Sequence, residues 1–224
     1  VIVELRNYTL QPGRRDELVA LFEREFLETQ EAADMTLIGH FTVLGDANRF
    51  VWLRGFADLQ TRAASLAAFY DGPVWAKHRN AANATIVDSD NVLLLRPARS
   101  NSGFATARGE PFPTGSEQPS GQVYASVVSY LSEPADDEAV ARLEQSVTSS
   151  VSAAGGNVLA WYLTEQSAND YPRLPVREGI NAVVWFGVFP SAATLEAYLA
   201  SPALRLSDRT EMMRLVPTPR SRLR

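Results

Sequence analysis

The chain has no cysteine and two histidines in 224 residues. The first absence excludes disulfides, thiolate metal sites and a cysteine nucleophile. The second leaves His40 and His78 as the histidine bases or ligands. They stand apart, without carboxylates at helical spacing, so no metal site is expected. Asp88 and Asp90 read as turn residues instead. No Gly-x-Ser-x-Gly elbow occurs, and Gly155-Gly156 follows a helical pattern as a stop, the wrong context for a phosphate loop. No apolar run approaches the roughly 20 residues of a membrane span. Nor is there a block of lysine and arginine, and the net charge is −5, so nucleic acid is not an expected partner. The amino terminus enters a strand pattern at once, so no secretory leader is expected. A cytoplasmic protein is expected.

With 46% hydrophobic and 21% charged residues, the composition is that of a globular protein. Along "VIVELRNYTL", Val1, Val3 and Leu5 alternate with Glu4, Arg6 and Tyr8, the two-residue period of a strand. Pro12-Gly13 breaks it, and Leu18, Leu21, Phe22 and Phe26 then recur at helical spacing. Two strands ("MTLIGHFTVLG" and "RFVWLRGF"), a helix from Asp58 interrupted at Asp71-Gly72-Pro73, and the strand "NVLLLRPA" complete a βαββαβ unit over residues 1–99. Residues 100–121, rich in Ser, Gly and Pro, read as a linker.

The same pattern returns over residues 122–224, with a helix break at Ser201-Pro202. Tyr8 is matched to Tyr130, and Val51-Trp52 to Val184-Trp185. The later half is then longer between its second and third strands, and "NDYPRLPVREG", residues 169–179, accounts for the excess. The expected fold is α+β: two tandem ferredoxin-like repeats packed sheet to sheet as an intrachain α/β-barrel. On this reading Val3 and Leu5 face the helices. Glu4, Arg6, Tyr8, His40, Trp52 and Arg54 face a shared interior, with Tyr162 and Trp185 from the second half. Aromatic rings with a few polar groups suit a small-molecule pocket. Pro172 and Pro175 stiffen the inserted loop, while Arg173 and Arg177 offer charge to an anionic ligand. The loop either covers the pocket, ties the two halves together or clamps a second copy in a homo-oligomer.

"VELRNYTLQPG", "GHFTVLGDANRFVWLRGFADLQTR" and "FYDGPVW" resemble the NIPSNAP family of the dimeric α/β-barrel superfamily. Glu4, Leu5, Arg6, Tyr8, Gly13, Gly39, Phe41, Gly45, Asn48, Phe56, Arg62 and Trp75 carry the likeness. In the second half, "NDYPRLPVREG", "VVWF" and "PTPRSRLR" look like tandem bacterial members. The resemblance implies a barrel fold and no settled reaction. Superfamily monooxygenases and cyclases imply cofactor-free acid–base chemistry on phenolic or polyketide substrates. His40 then exchanges protons, Arg6 or Arg54 stabilises an anion, and Glu4, Tyr8, Trp52, Tyr162, Arg173, Arg177 and Trp185 hold the substrate. Haem-binding superfamily members imply a second option, with His78 near Trp75 and Asn7. A non-catalytic metabolite-binding or scaffolding protein is the alternative to an enzyme.

Overall fold

A computed structural model of the chain describes residues 1–104, 111–118, 121–200 and 209–224. Strand β1 (Ile2–Leu10) leads into helix α1 (Arg15–Leu21), a π-helical turn (Phe22–Phe26) and α2 (Leu27–Ala32), which run on continuously. Then come β2 (Thr36–Val43), β3 (Asp46–Phe56), α3 (Leu59–Tyr70), α4 (Pro73–Asn83), β4 (Ile86–Asp88) and β5 (Val92–Pro97). The second half holds β6 (Val123–Tyr130), α5 (Asp137–Ala153), β7 (Asn157–Thr164), β8 (Ala182–Phe189), α6 (Ala192–Leu199) and β9 (Thr210–Pro217). The helix starts follow local chemistry. Asp58, Asp136 and Ser191 accept backbone N–H bonds as caps of α3, α5 and α6. Pro73 opens α4, where its missing N–H costs nothing. The helix break expected at Ser201-Pro202 and residues 105–110 and 119–120 of the expected linker lie outside the described residues.

Eight antiparallel strands close a barrel in the order β1-β3-β2-β9-β6-β8-β7-β5, and short β4 attaches to the end of β1. The halves meet edge to edge. One seam pairs β2 with β9, from Phe41 opposite Pro217 to Val43 opposite Leu215. The other pairs β5 with β7, where Leu95 lies opposite Thr164. The expected α+β barrel is observed, with its two halves hydrogen-bonded edge to edge into a single closed wall that leaves none of its eight strands as a bare edge.

In the first half the faces are reversed from the expectation, whereas Tyr162 of the second half faces the barrel interior as expected. Val3, Leu5, Val51, Leu53, Leu93 and Leu95 point into the barrel, where they meet Tyr124, Val128, Tyr162, Val184 and Phe186 of the second half. Tyr8, Trp52 and Phe50 lie on the outer side, beneath the helices that carry Leu18, Phe22, Phe26, Leu66 and Phe69. Since Glu4 and Arg6 alternate with Val3 and Leu5, they share that outer face. The reason is supply of partners. A small barrel is filled by its own side chains, whereas the helices bring Gln30 and Arg62 within reach of a buried charge.

Strand pairing also corrects the match between halves. Arg6 stands opposite Trp52, and Val127 stands opposite Trp185. If the two tryptophans correspond, Tyr8 corresponds to Ser129 and not to Tyr130. A one-residue slip moves every side chain to the other face, and Tyr130 accordingly points into the barrel while Tyr8 does not. Around Trp52 the first half places Glu4, Arg6, Arg54 and His40; around Trp185 the second places Ala125, Val127, Gly187 and Trp161 at the corresponding strand positions. The second half fills this space with hydrocarbon, Trp185 packing on Trp161 and Tyr198.

Trp185 is fully buried and its Nε1 has no partner among the described residues. Trp185→Ala is expected to cost about 3–5 kcal/mol through the cavity it leaves. Trp185→Phe keeps most of the ring and removes the unmet N–H, so its cost stays below about 1.5 kcal/mol. Urea melts of the two variants check this difference.

Candidate functional site

Glu4 is fully buried and receives three guanidiniums. Arg6 Nη1 donates at 2.7 Å, Arg54 Nε at 2.8 Å and Arg62 Nε at 2.7 Å. Two come from neighbouring strand positions, since Arg54 is the cross-strand partner of Glu4 and Arg6 sits two residues along. The third descends from α3. Burial alone raises a carboxyl pKa, yet Arg54, Arg6 and Arg62 hold that of Glu4 far below the usual range. Arg6 also donates from Nε to the Tyr8 hydroxyl at 3.0 Å. Burial works against its charge, but Tyr8 and Glu4 raise its pKa. Burial pushes the Tyr8 hydroxyl above the ordinary phenol range, against the pull of Arg6, so Tyr8 is protonated at neutral pH.

Tyr8 and Trp52 form one wall of a cavity of about 110 Å³ between the sheet and the helices. The opposing wall carries Phe22, Phe26, Phe69, Tyr70 and Trp75. Phe22 and Phe26 begin and end the π turn, a wide coil that often marks functional sites. The cavity lining contains no carboxylate, histidine or lysine side chain. Two guanidiniums lie over the Trp52 indole, Arg54 at 4.9 Å and Arg6 at 5.5 Å from a ring centroid. The Trp52 Nε1 is buried without a protein partner among the described residues.

The inserted loop reaches across to this site. Asp170 and Asn169 bond Arg62 from the far side of Glu4. Tyr171 packs into the first-half core and stacks on Tyr70, and Leu174 joins the cavity wall. Arg173 pairs with Asp71 at 2.8 Å on the surface. Arg177 donates to Tyr130 Oη at 2.7 Å, while its backbone N–H bonds Val92 O at 2.9 Å. The loop therefore ties the halves together and also closes the cavity.

Of the residues singled out in the sequence, Glu4, Arg6, Tyr8, Trp52 and Arg54 come together here. Tyr162 lies inside the barrel, its hydroxyl accepting from Phe104 N at 2.9 Å, with burial raising its pKa to about 12. Trp185 lies under the second-half helices. Arg173 and Arg177 do not line the cavity. Nor does His40, which is held by a carboxy-terminal strap. Thr218 donates its hydroxyl proton to Glu23 at 2.7 Å and hydrogen-bonds His40 Nδ1, while Ser221 accepts from His40 N at 3.1 Å. Burial first, then Arg220, pushes the His40 imidazole down to about 3. His78 lies 3.5 Å from Glu25 and off the cavity. The described residues hold no cluster of three or more His, Cys, Asp or Glu able to take a metal. Sequence reasoning missed Arg62 and Gln30 as partners of the cluster and Leu174 as a lining residue. Arg62 alone had a signal, an arginine among apolar residues of a helix.

Fold and site together define a closed α/β-barrel protein with an aromatic-lined cavity beneath the first-half helices, backed by a buried charge cluster. A NIPSNAP family profile matches residues 3–101. A NIPSNAP-like domain protein from Burkholderia xenovorans is 35% identical over 45% of this chain and 87% of that chain, with a TM-score of 0.41. The chain belongs to the NIPSNAP family. Other likenesses extend over nearly the whole chain. A monooxygenase candidate from Lactobacillus acidophilus NCFM is 12% identical, covering 98% of this chain and 97% of that one, with a TM-score of 0.53. An anthrone oxidase-like protein is also 12% identical, with 98% and 92% covered and a TM-score of 0.55. These two show the barrel fold. No curated protein matches the chain. Among the described residues, no helix is long and apolar enough to cross a membrane.

Glu4→Gln removes the charge that three buried guanidiniums share, and is expected to cost about 3–5 kcal/mol in a denaturant melt. His40 yields a pH prediction. Its folded pKa is depressed from 6.5, so its contribution is complete above 6.5 and is lost as pH falls toward 3. The slope is about 1.4 kcal/mol per pH unit. Melts of the wild type and His40→Gln at pH 7, 5 and 4 are expected to converge by that increment; parallel curves would contradict it.

Proposed function

We propose that the chain binds a small aromatic or enolic molecule bearing a ring oxygen, in the cavity between the first-half sheet and helices. Tyr8, backed by Arg6, donates a hydrogen bond to that oxygen and stabilises it as charge develops. This is acid–base chemistry of the kind used by a cofactor-independent monooxygenase, cyclase or isomerase. The observation that carries the reading is the Tyr8 hydroxyl in a mostly apolar wall, backed by Arg6 and Glu4. Three guanidiniums face two carboxylates, Glu4 and Asp170, in that cluster, leaving one positive charge in excess. In a water-poor site such an excess favours an anionic oxygen, as oxyanion donors do elsewhere. Trp52 Nε1, which has no partner among the described residues, is a second donor in the same wall. The barrel shared with an anthrone oxidase-like protein and a monooxygenase candidate fits this chemistry. The same strand order in each half, β5-β1-β3-β2 and β9-β6-β8-β7, supports reading the chain as two tandem ferredoxin-like repeats of which one keeps a site.

The cavity lining supplies no strong base, and that observation favours a second reading, a metabolite-binding protein without turnover. In either case the ligand oxygen meets Tyr8. Fluorine NMR of 4-fluorophenol, titrated against pH, tests this directly. The bound phenol is expected to lose its proton at least one pH unit below the free phenol, and Tyr8→Phe to abolish the difference. Binding no tighter than fluorobenzene in both proteins would refute it.

A further inference from the structure

Every wall of the cavity except one comes from residues 8–89; the exception is Leu174, carried in by the loop 169–179 of the other half. Its position is imposed by anchors on both sides. Before it, Asp170 and Asn169 bond the buried Arg62, and Tyr171 is seated against Tyr70. Within the loop, the Asn169 side-chain amide donates to Leu174 O at 3.0 Å, and Leu174 N donates to Tyr171 O at 3.0 Å. After it, Arg177 N bonds Val92 O at 2.9 Å. A leucine fixed from so many sides is part of the cavity's shape. The space it closes is about 110 Å³, close to the roughly 150 Å³ that holds one benzene in a dry apolar cavity.

We propose that Leu174 is the specificity-determining residue of this site, limiting its occupant to a single six-membered ring. The inference rests on the functional reading only for the location of the site, so its test uses hydrocarbons that carry no oxygen. Benzene and naphthalene binding are measured by ligand-observed NMR on the full chain, with thermal melts as a check of folding. Leu174→Ala is expected to raise the ratio of naphthalene to benzene affinity at least tenfold. Leu174→Trp fills the space from the same position and is expected to lower benzene affinity at least tenfold. An unchanged ratio in Leu174→Ala together with unchanged benzene binding in Leu174→Trp, including no binding to any of the proteins, would overturn the proposal. A size effect with no preference for phenol over benzene would uphold Leu174 and count instead against the role of Tyr8.

Discussion

A carboxylate with no contact with water holds this site together. Three guanidiniums on three separate segments converge on Glu4, and each goes on to something else. Arg6 reaches Tyr8 in the cavity wall, Arg54 reaches Gln30 on α2, and Arg62 reaches Asp170 on the inserted loop. Sheet, helices and loop are thereby fixed to one charge. A buried ion cluster is a poor source of net stability, because desolvating its members offsets most of their attraction. Its value here is positional: it fixes where the phenol of Tyr8 and the backbone of the loop stand.

The two halves divide the work. The first carries the cluster and the cavity. The second, with Trp185, Trp161, Phe189 and Tyr198 in the corresponding layer, has a hydrocarbon core there. It supports its neighbour through two long reaches. The inserted loop brings Asp170, Tyr171 and Leu174 over the cavity. The carboxy-terminal strap brings Thr218, Arg220 and Arg222 onto Glu23, Glu28 and Glu31 of the first helical run, beside the π turn that presents Phe22 and Phe26. One half provides the cavity and the other half holds it closed.

Much of this was legible in the sequence. The alternation in "VIVELRNYTL" sorted Glu4, Arg6 and Tyr8 onto one face, and the excess at 169–179 marked the loop. The side on which that face lies was not legible. Both sides of these strands are buried, one by the barrel and one by the helices, so no polar-out signal remains to orient them. The polar face went to the helices because Arg62 and Gln30 are there, and a strand's own sequence cannot announce a partner on a distant helix. The match of Tyr8 with Tyr130 failed for a related reason. Similar letters, "YTLQP" and "YLSEP", outweighed register, and only the pairing of Arg6 with Trp52 and of Val127 with Trp185 shows the slip. His40 looked like a base because histidines are few; its contacts with Thr218 and Ser221 span nearly the whole chain and leave no trace in local sequence.

A crystal structure of the protein soaked with 4-bromophenol, with the bromine located by anomalous scattering, decides where the ligand sits. A single ligand in the first-half cavity, its oxygen within hydrogen-bond distance of Tyr8 Oη, is the predicted result. Bromine inside the barrel among Val3, Leu53 and Phe186, or beside Trp185 under the second-half helices, would contradict the assignment of the site.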